Sequence, residues 1–436
     1  MIGFRKDVAP TMNEIQLPPM VRIRQHHSAT SVDDPEVAAS EALRQASIAA
    51  KVNPGDRIGV ACGSRGIGSY AHIVKGVIRA LKEAGARPVI IPATGSHGGA
   101  TAEGQIAVLA EAGITEQSMD APIMADMDVV ELGTIPDGPP VYFARQAMET
   151  DGIVLVNRIK PHTDFAGDLG SGLIKMLVIG LGKTRGAQAI HAYGVRGLKE
   201  MVPEAAKIIL DQVNVLPGVA IVENAYGKPA FIRALDPDRL PEGERELMQL
   251  AREYMARLPV QQLDLLVIDK MGKDISGSGM DTNVIGRLGI AGETDFDSPR
   301  ISRIVVLDLT DASHGNAAGV GLADVITERL RSKIDQKATN INTITSTFLE
   351  RARLPITMPT DRQAIELGLR CAWQPDTQAA RIARVASTLE LNEMFVSVAV
   401  WEELRQRSDI ETLSAPTPWR FKATGELCMP FTPSDQ

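Results

Sequence analysis

Short apolar runs without alternation recur along the first half of the chain, at 57–62, 88–93 and 153–156. Such runs are too short for helices, and their continuous apolar character is that of strands buried on both faces of a parallel sheet. Between them lie stretches of helical period. Asp34-Pro35 offers an N-cap and first-turn proline for a helix to about 50, a helix over 72–84 is ended by Gly85, and Thr101 caps a helix reaching 112. Alternation of strand, loop and helix predicts a parallel sheet with right-handed crossovers. The loops at Arg65, His97 and His162 then share one edge of that sheet.

Further on, 195–213 reads as a helix, 219–222 as a strand and 243–258 as an amphipathic helix stopped by Pro259. A fresh strand at 263–269 leads into a second polar, glycine-rich loop at 270–283. A strand at 304–309, a helix at 319–333, a strand at 394–400 and a helix from Trp401 follow, and the proline-bearing tail after Leu413 reads as irregular. The pattern predicts two α/β domains with mainly parallel sheets, 1–258 and 259–436, and an active site in the cleft between them.

Composition narrows the function. The 436 residues are 44% hydrophobic and 23% charged with a formal charge of −8, which suits a soluble globular chain and lacks the basic face that nucleic acid requires. Cys62, Cys371 and Cys428 are few and far apart, so neither a disulfide framework nor a paired-cysteine metal site is expected. No run approaches the ~18 apolar residues of a membrane span, and the first residues lack a secretory h-region, so the expectation is a cytoplasmic protein with no membrane partner.

Candidate chemistry concentrates in 158–194, RIKPHTDFAGDLGSGLIKMLVIGLGKTRGAQAIHAYG, which carries His162, Lys175 and His191 among Gly167, Gly170, Gly172, Gly180 and Gly182. Imidazoles supply metal ligands or proton-transfer groups, and a lysine among glycines holds a phosphate or links to a cofactor. Arg65, His97, Lys270 and Lys273 stand on the other strand-end loops, where cations suit an anionic substrate. His26, His27 and His72 read as structural.

Ser64-Arg65 after the first strand, Thr94-Gly95-Ser96-His97 after the second, Pro161-His162 with Phe165-Ala166-Gly167, then Lys175 and His191 sixteen residues apart, resemble the nickel-dependent lactate racemase family. The resemblance is densest over 57–194. It implies a racemase or epimerase inverting C2 of a small-molecule 2-hydroxy acid with a nickel-pincer nucleotide, a pyridinium mononucleotide bound covalently or non-covalently. It further implies His191 as nickel ligand, Lys175 with Gly167, Gly170 and Gly172 at the cofactor, His97 and His162 as the acid/base pair, and Arg65, Lys273 and Lys270 at the substrate carboxylate. Proteins that make the cofactor and insert nickel are implied as partners. Cys62, Gly66 and Gly98 depart from the family's loops, so the implied substrate is a 2-hydroxy acid rather than lactate in particular. Two other classes fit the same residues: a metal-dependent hydrolase with His97, His162 and His191 as ligands, and a non-catalytic nucleotide-binding protein.

Overall fold

The computed structural model describes residues 15–63 and 66–428, which form two compact units. One comprises 27–256 with 344–348, and the other 257–343 and 349–428 together with the N-terminal stretch up to His26. Sequence order hides that exchange: the strand at the start of the described chain pairs with strands more than 350 residues later.

Strands are numbered along the chain. In the first unit a five-stranded sheet has the order β3-β2-β6-β7-β8, formed by β2 (Arg57–Cys62), β3 (Arg87–Pro92), β6 (Gly152–Arg158), β7 (Gly218–Glu223) and β8 (Pro229–Leu235). All neighbours are parallel except β7 and β8. Chain order runs outward from β2 to β3 and then returns to the other side of β2 with β6. In such sheets the carboxyl ends of the strands at the reversal, here β2 and β6, are the usual ligand position. Cys62 is in register with both Pro92 and Val156, so the loops after all three strands do leave from one edge. A hairpin of β4 (Val129–Thr134) and β5 (Pro140–Ala144), absent from the sequence reading, forms a separate ribbon.

The second unit has an eight-stranded sheet. Its parallel half is β12 (Ile356–Met358), β11 (Val325–Thr327), β10 (Arg300–Leu309), β9 (Gln262–Met271) and β13 (Ile382–Val385); β14 (Glu393–Ser397), β1 (Met20–Gln25) and β15 (Ile410–Thr412) continue it in antiparallel order. The architecture is thus mixed α/β with mainly parallel pairing, as the sequence predicts.

Local departures have local causes. The helix capped by Asp34, whose carboxylate accepts from the N–H groups of Glu36 and Val37, stops at Gln45 because Ser47 turns left-handed (φ 55°), and only a short 3₁₀ turn follows at Ile48–Ala50. The helix expected over 319–333 is instead a 3₁₀ turn, strand β11 and the short helix Glu328–Ser332. Val325, Ile326 and Thr327 are β-branched and buried between β10 and β12, and burial in the sheet overrides the helical reading. Likewise β14 ends at Ser397, and residues 398–400 open the helix Val398–Leu404 rather than extend the strand. No helix among the described residues is long and apolar enough to cross a membrane.

Candidate active site

The site is built where β6 ends. Residues 159–172 form a loop closed on itself by paired backbone hydrogen bonds between Lys160 and Ser171, and a helical segment begins at Leu173, carries Lys175 and passes into a π turn, Met176–Gly180. A π turn inside a helix is a frequent companion of functional sites. Helix Lys183–His191 then brings His191 back toward Lys175.

His162, Lys175 and His191 converge. His162 is buried, and its ring stacks on Phe165 at 4.6 Å between centroids. The backbone N–H of Asp164 donates to His162 Nδ1 at 3.0 Å, so that nitrogen holds a lone pair and the proton of the neutral ring lies on Nε2. Nε2 is in a short hydrogen bond with Lys175 Nζ. With the ring proton on Nε2, the amine must accept, and only a neutral amine can do so. Burial drives Lys175 in that direction, lowering its pKa, while the Asp164 charge raises it. A neutral buried amine is a nucleophile.

His191 shares these surroundings. Burial, the largest cause, lowers its pKa to about 4, any charge on Lys175 would act in the same direction, and Asp164 pulls weakly upward. Its Nδ1 is buried with no hydrogen-bond partner. A neutral imidazole with an unclaimed nitrogen is the form in which histidine binds a metal. Among the described residues no group of three or more His, Cys, Asp or Glu side chains is placed to hold a metal ion. That geometry disagrees with a three-histidine hydrolase: His97 is exposed, whereas the working nitrogen of His162 faces an amine.

A narrow recess opens beside Lys175, walled by Phe165, Leu169, Ile174, Leu198 and Glu244. Glu244, from the helix Leu240–Tyr254, was not signalled by the sequence. It is fully buried, and one carboxyl oxygen accepts from the Ile174 N–H at 3.0 Å while the other, Oε1, has no partner. Desolvation raises its pKa to about 7. The carboxyl occupies the space a side chain at Gly172 would need, 2.1 Å from its Cβ position, and the Lys160 carbonyl does the same over Gly170 at 2.6 Å. Protein packing therefore accounts for these two glycines before any ligand does, and Gly167 meets the Phe165 ring at 3.3 Å and the Leu169 carbonyl at 3.5 Å.

The other candidates are placed as follows. His97 is exposed on the loop after β3, a neighbouring strand end, with its N–H on the Thr94 carbonyl at 3.1 Å. Arg65 lies outside the described residues. The loop that leads to it starts at Gly63, whose N–H donates to Tyr70 Oη at 2.6 Å, and resumes at Gly66, whose carbonyl accepts from Arg158. Cys62 beneath it is buried and its thiol is pushed up to about 12, which leaves it inert. Lys270 and Lys273 belong to the second unit. Lys270 is exposed at the end of β9, and Lys273 Nζ donates to the Gly277 carbonyl and, at 2.9 Å, to Asn342 Oδ1.

Residues 11–201 match the family model of the lactate racemase N-terminal domain. None of the curated proteins matches the chain. Among solved structures, the lactate racemase apoprotein from Thermoanaerobacterium thermosaccharolyticum is similar in fold, with a TM-score of 0.50 and 14% identity over 85% of this chain and 99% of that one. The resemblance carried by the sequence motifs is thus borne out: residues 11–201 match the lactate racemase N-terminal domain, and the fold is similar to that of a lactate racemase apoprotein.

Proposed function

We propose that the protein is a racemase or epimerase that inverts C2 of a 2-hydroxy acid, with a nickel-pincer nucleotide held by His191 and Lys175. The observation that carries this reading is the convergence of an unpartnered imidazole nitrogen with a half-buried amine whose positive charge burial disfavours. His191 would ligate nickel through Nδ1, and Lys175 would meet the nucleotide's acyl or phosphate group. Its neutral amine makes a covalent link chemically accessible. The loop bearing Gly167, Gly170 and Gly172 would shape the recess on that side. When bound, the nucleotide would supply reversible hydride-transfer chemistry at C2.

The chain's own residues handle protons and orientation. His162 has Nδ1 committed to the Asp164 N–H and its proton on Nε2, so Nε2 would give a proton to the substrate oxygen, and would take one after passing its own to the Lys175 amine. His97, exposed on a neighbouring loop, would serve the other face and exchange its proton with solvent. Arg65, Lys273 and Lys270 would bind the carboxylate, so that the planar 2-oxo acid turns without leaving. Proteins that build the nucleotide and load nickel would be required upstream.

The test is chiral analysis of C2-deuterated 2-hydroxy acids after incubation with natively loaded enzyme. At least one acid should racemise or epimerise with its deuterium retained. Washout of the label into solvent would replace hydride transfer by proton abstraction at C2, and binding of the nucleotide without any inversion would leave a nucleotide-binding protein.

A further inference from the structure

The chain holds a fully buried lysine that the proposed chemistry does not use. Lys183 opens the helix Lys183–His191 with a left-handed backbone, φ 54°. A lysine side chain in this conformation, stripped of water, persists only where its surroundings over-determine it. Burial lowers its pKa to about 8, against an upward pull from Asp126.

Its amine has two acceptors. Lys183 Nζ donates to the Pro92 carbonyl, the last residue of β3, at 2.7 Å, and to Gln105 Oε1 at 2.8 Å. Gln105 is itself fully buried, on the helix Ala102–Glu111, and its Nε2 donates to the Gly95 carbonyl at 2.8 Å. The N–H of Gly95 donates in turn to the Gly180 carbonyl at 3.1 Å. Both peptide groups of Gly95 are therefore fixed from outside their own loop, two residues before His97. Gly95 sits at φ 63°, with its Cβ position 3.2 Å from the Ile179 carbonyl, so the loop touches the π turn directly.

We propose that Lys183 and Gln105 are positioning residues that tie the His97 loop to the segment between Lys175 and His191, so that the His97 ring is presented to a site organised on a different strand. The functional half rests on the reading of His97 as a proton-transfer group; the mechanical half does not. Since a neutral amine has two hydrogens and this one has two acceptors, the link does not depend on the lysine's charge.

Amide hydrogen exchange over 94–100, in protein without cofactor or substrate, reads the tie itself. Lys183→Met, a side chain of similar length without donors, should speed exchange there about tenfold, the loss expected for one net buried hydrogen bond. Gln105→Leu should do the same, and the double variant should be no faster than the more affected single one. Exchange within twofold of wild type in both single variants, or effects that multiply in the double, would overturn the link. Should Lys183→Met fail to fold, Gln105→Leu decides the matter, because it leaves the Lys183 bond to Pro92 in place. In nickel-loaded enzyme, with whichever 2-hydroxy acid the wild type inverts fastest, kcat should fall on the order of tenfold to a hundredfold while KM and nickel content change little. A rise in KM with kcat unchanged would overturn the positioning role. Wild-type turnover by His97→Ala would instead remove His97 from the chemistry and leave the exchange result to stand alone.

Discussion

Two polar, glycine-rich stretches follow parallel strands in this chain, 158–194 after β6 and 270–283 after β9, and they satisfy their polar atoms in opposite ways. In the second, the loop bonds to itself and its neighbours: the Ser278 hydroxyl donates to the Met280 carbonyl, the Lys273 N–H to Ser313, and Lys273 Nζ to Gly277 and Asn342. None of its buried side-chain atoms is without a partner among the described residues. The first stretch leaves His191 Nδ1 unpartnered, sets an amine against an imidazole, and lies against a carboxyl with one unclaimed oxygen. Buried polar groups ordinarily find partners, and those left wanting mark the place a ligand completes. Glycine content alone does not separate the two loops; unmet hydrogen-bonding capacity does.

The strongest way to break this contrast is to remove the imidazoles of the first stretch and its neighbour. His162→Ala and His97→Ala should each lower turnover by about 10²–10⁴, the usual cost of a positioned general base. In single turnovers from pure enantiomers the two should impair opposite directions; equal loss in both directions would erase the division of labour. In the second stretch, Lys273→Met should raise KM for the carboxylate substrate by about tenfold with kcat little changed, the signature of uniform binding. Loss of stability with KM unaltered would make that loop purely structural and widen the contrast.

The smallest effect concerns Glu244. Its folded pKa of about 7 lies above the ordinary 4.5, so the folded state holds the proton more tightly than the unfolded one. The associated stability is complete below pH 4.5 and is lost as pH rises through 7, up to about 3 kcal/mol for a shift of this size. Glu244→Gln, which keeps an acceptor for the Ile174 N–H, should flatten that slope in denaturant titrations between pH 4.5 and 8. An unchanged slope would mean that the carboxyl ionises freely.

Much of this was legible in the sequence for a physical reason. Parallel strands buried on both faces leave continuous apolar runs, and the order of their loops fixes which residues share a sheet edge; hence Cys62, Pro92 and Arg158 end side by side as expected. The convergence of His162 and Lys175 lay within one segment and could be anticipated. Glu244, Gln105 and Lys183 could not, because each acts through a tertiary contact, and a lone Glu, Gln or Lys in a helical stretch reads as a solvated face. The glycines misled in part. Gly172 and Gly170 yield room to a carboxyl and a carbonyl of the protein, a cause that no local pattern distinguishes from a ligand cradle. Strand β1 escaped notice since its partners stand at the far end of the chain.

The central claim is that His191 offers its unpartnered nitrogen to nickel. Metal analysis with an ultraviolet-visible spectrum of natively purified wild type and His191→Ala tests it most directly. Wild type should carry nickel with a nucleotide-type absorption and keep the metal well below pH 6, since His191 stays neutral down to about 4. His191→Ala should be folded and free of nickel. Full nickel content and activity in that variant would contradict the account.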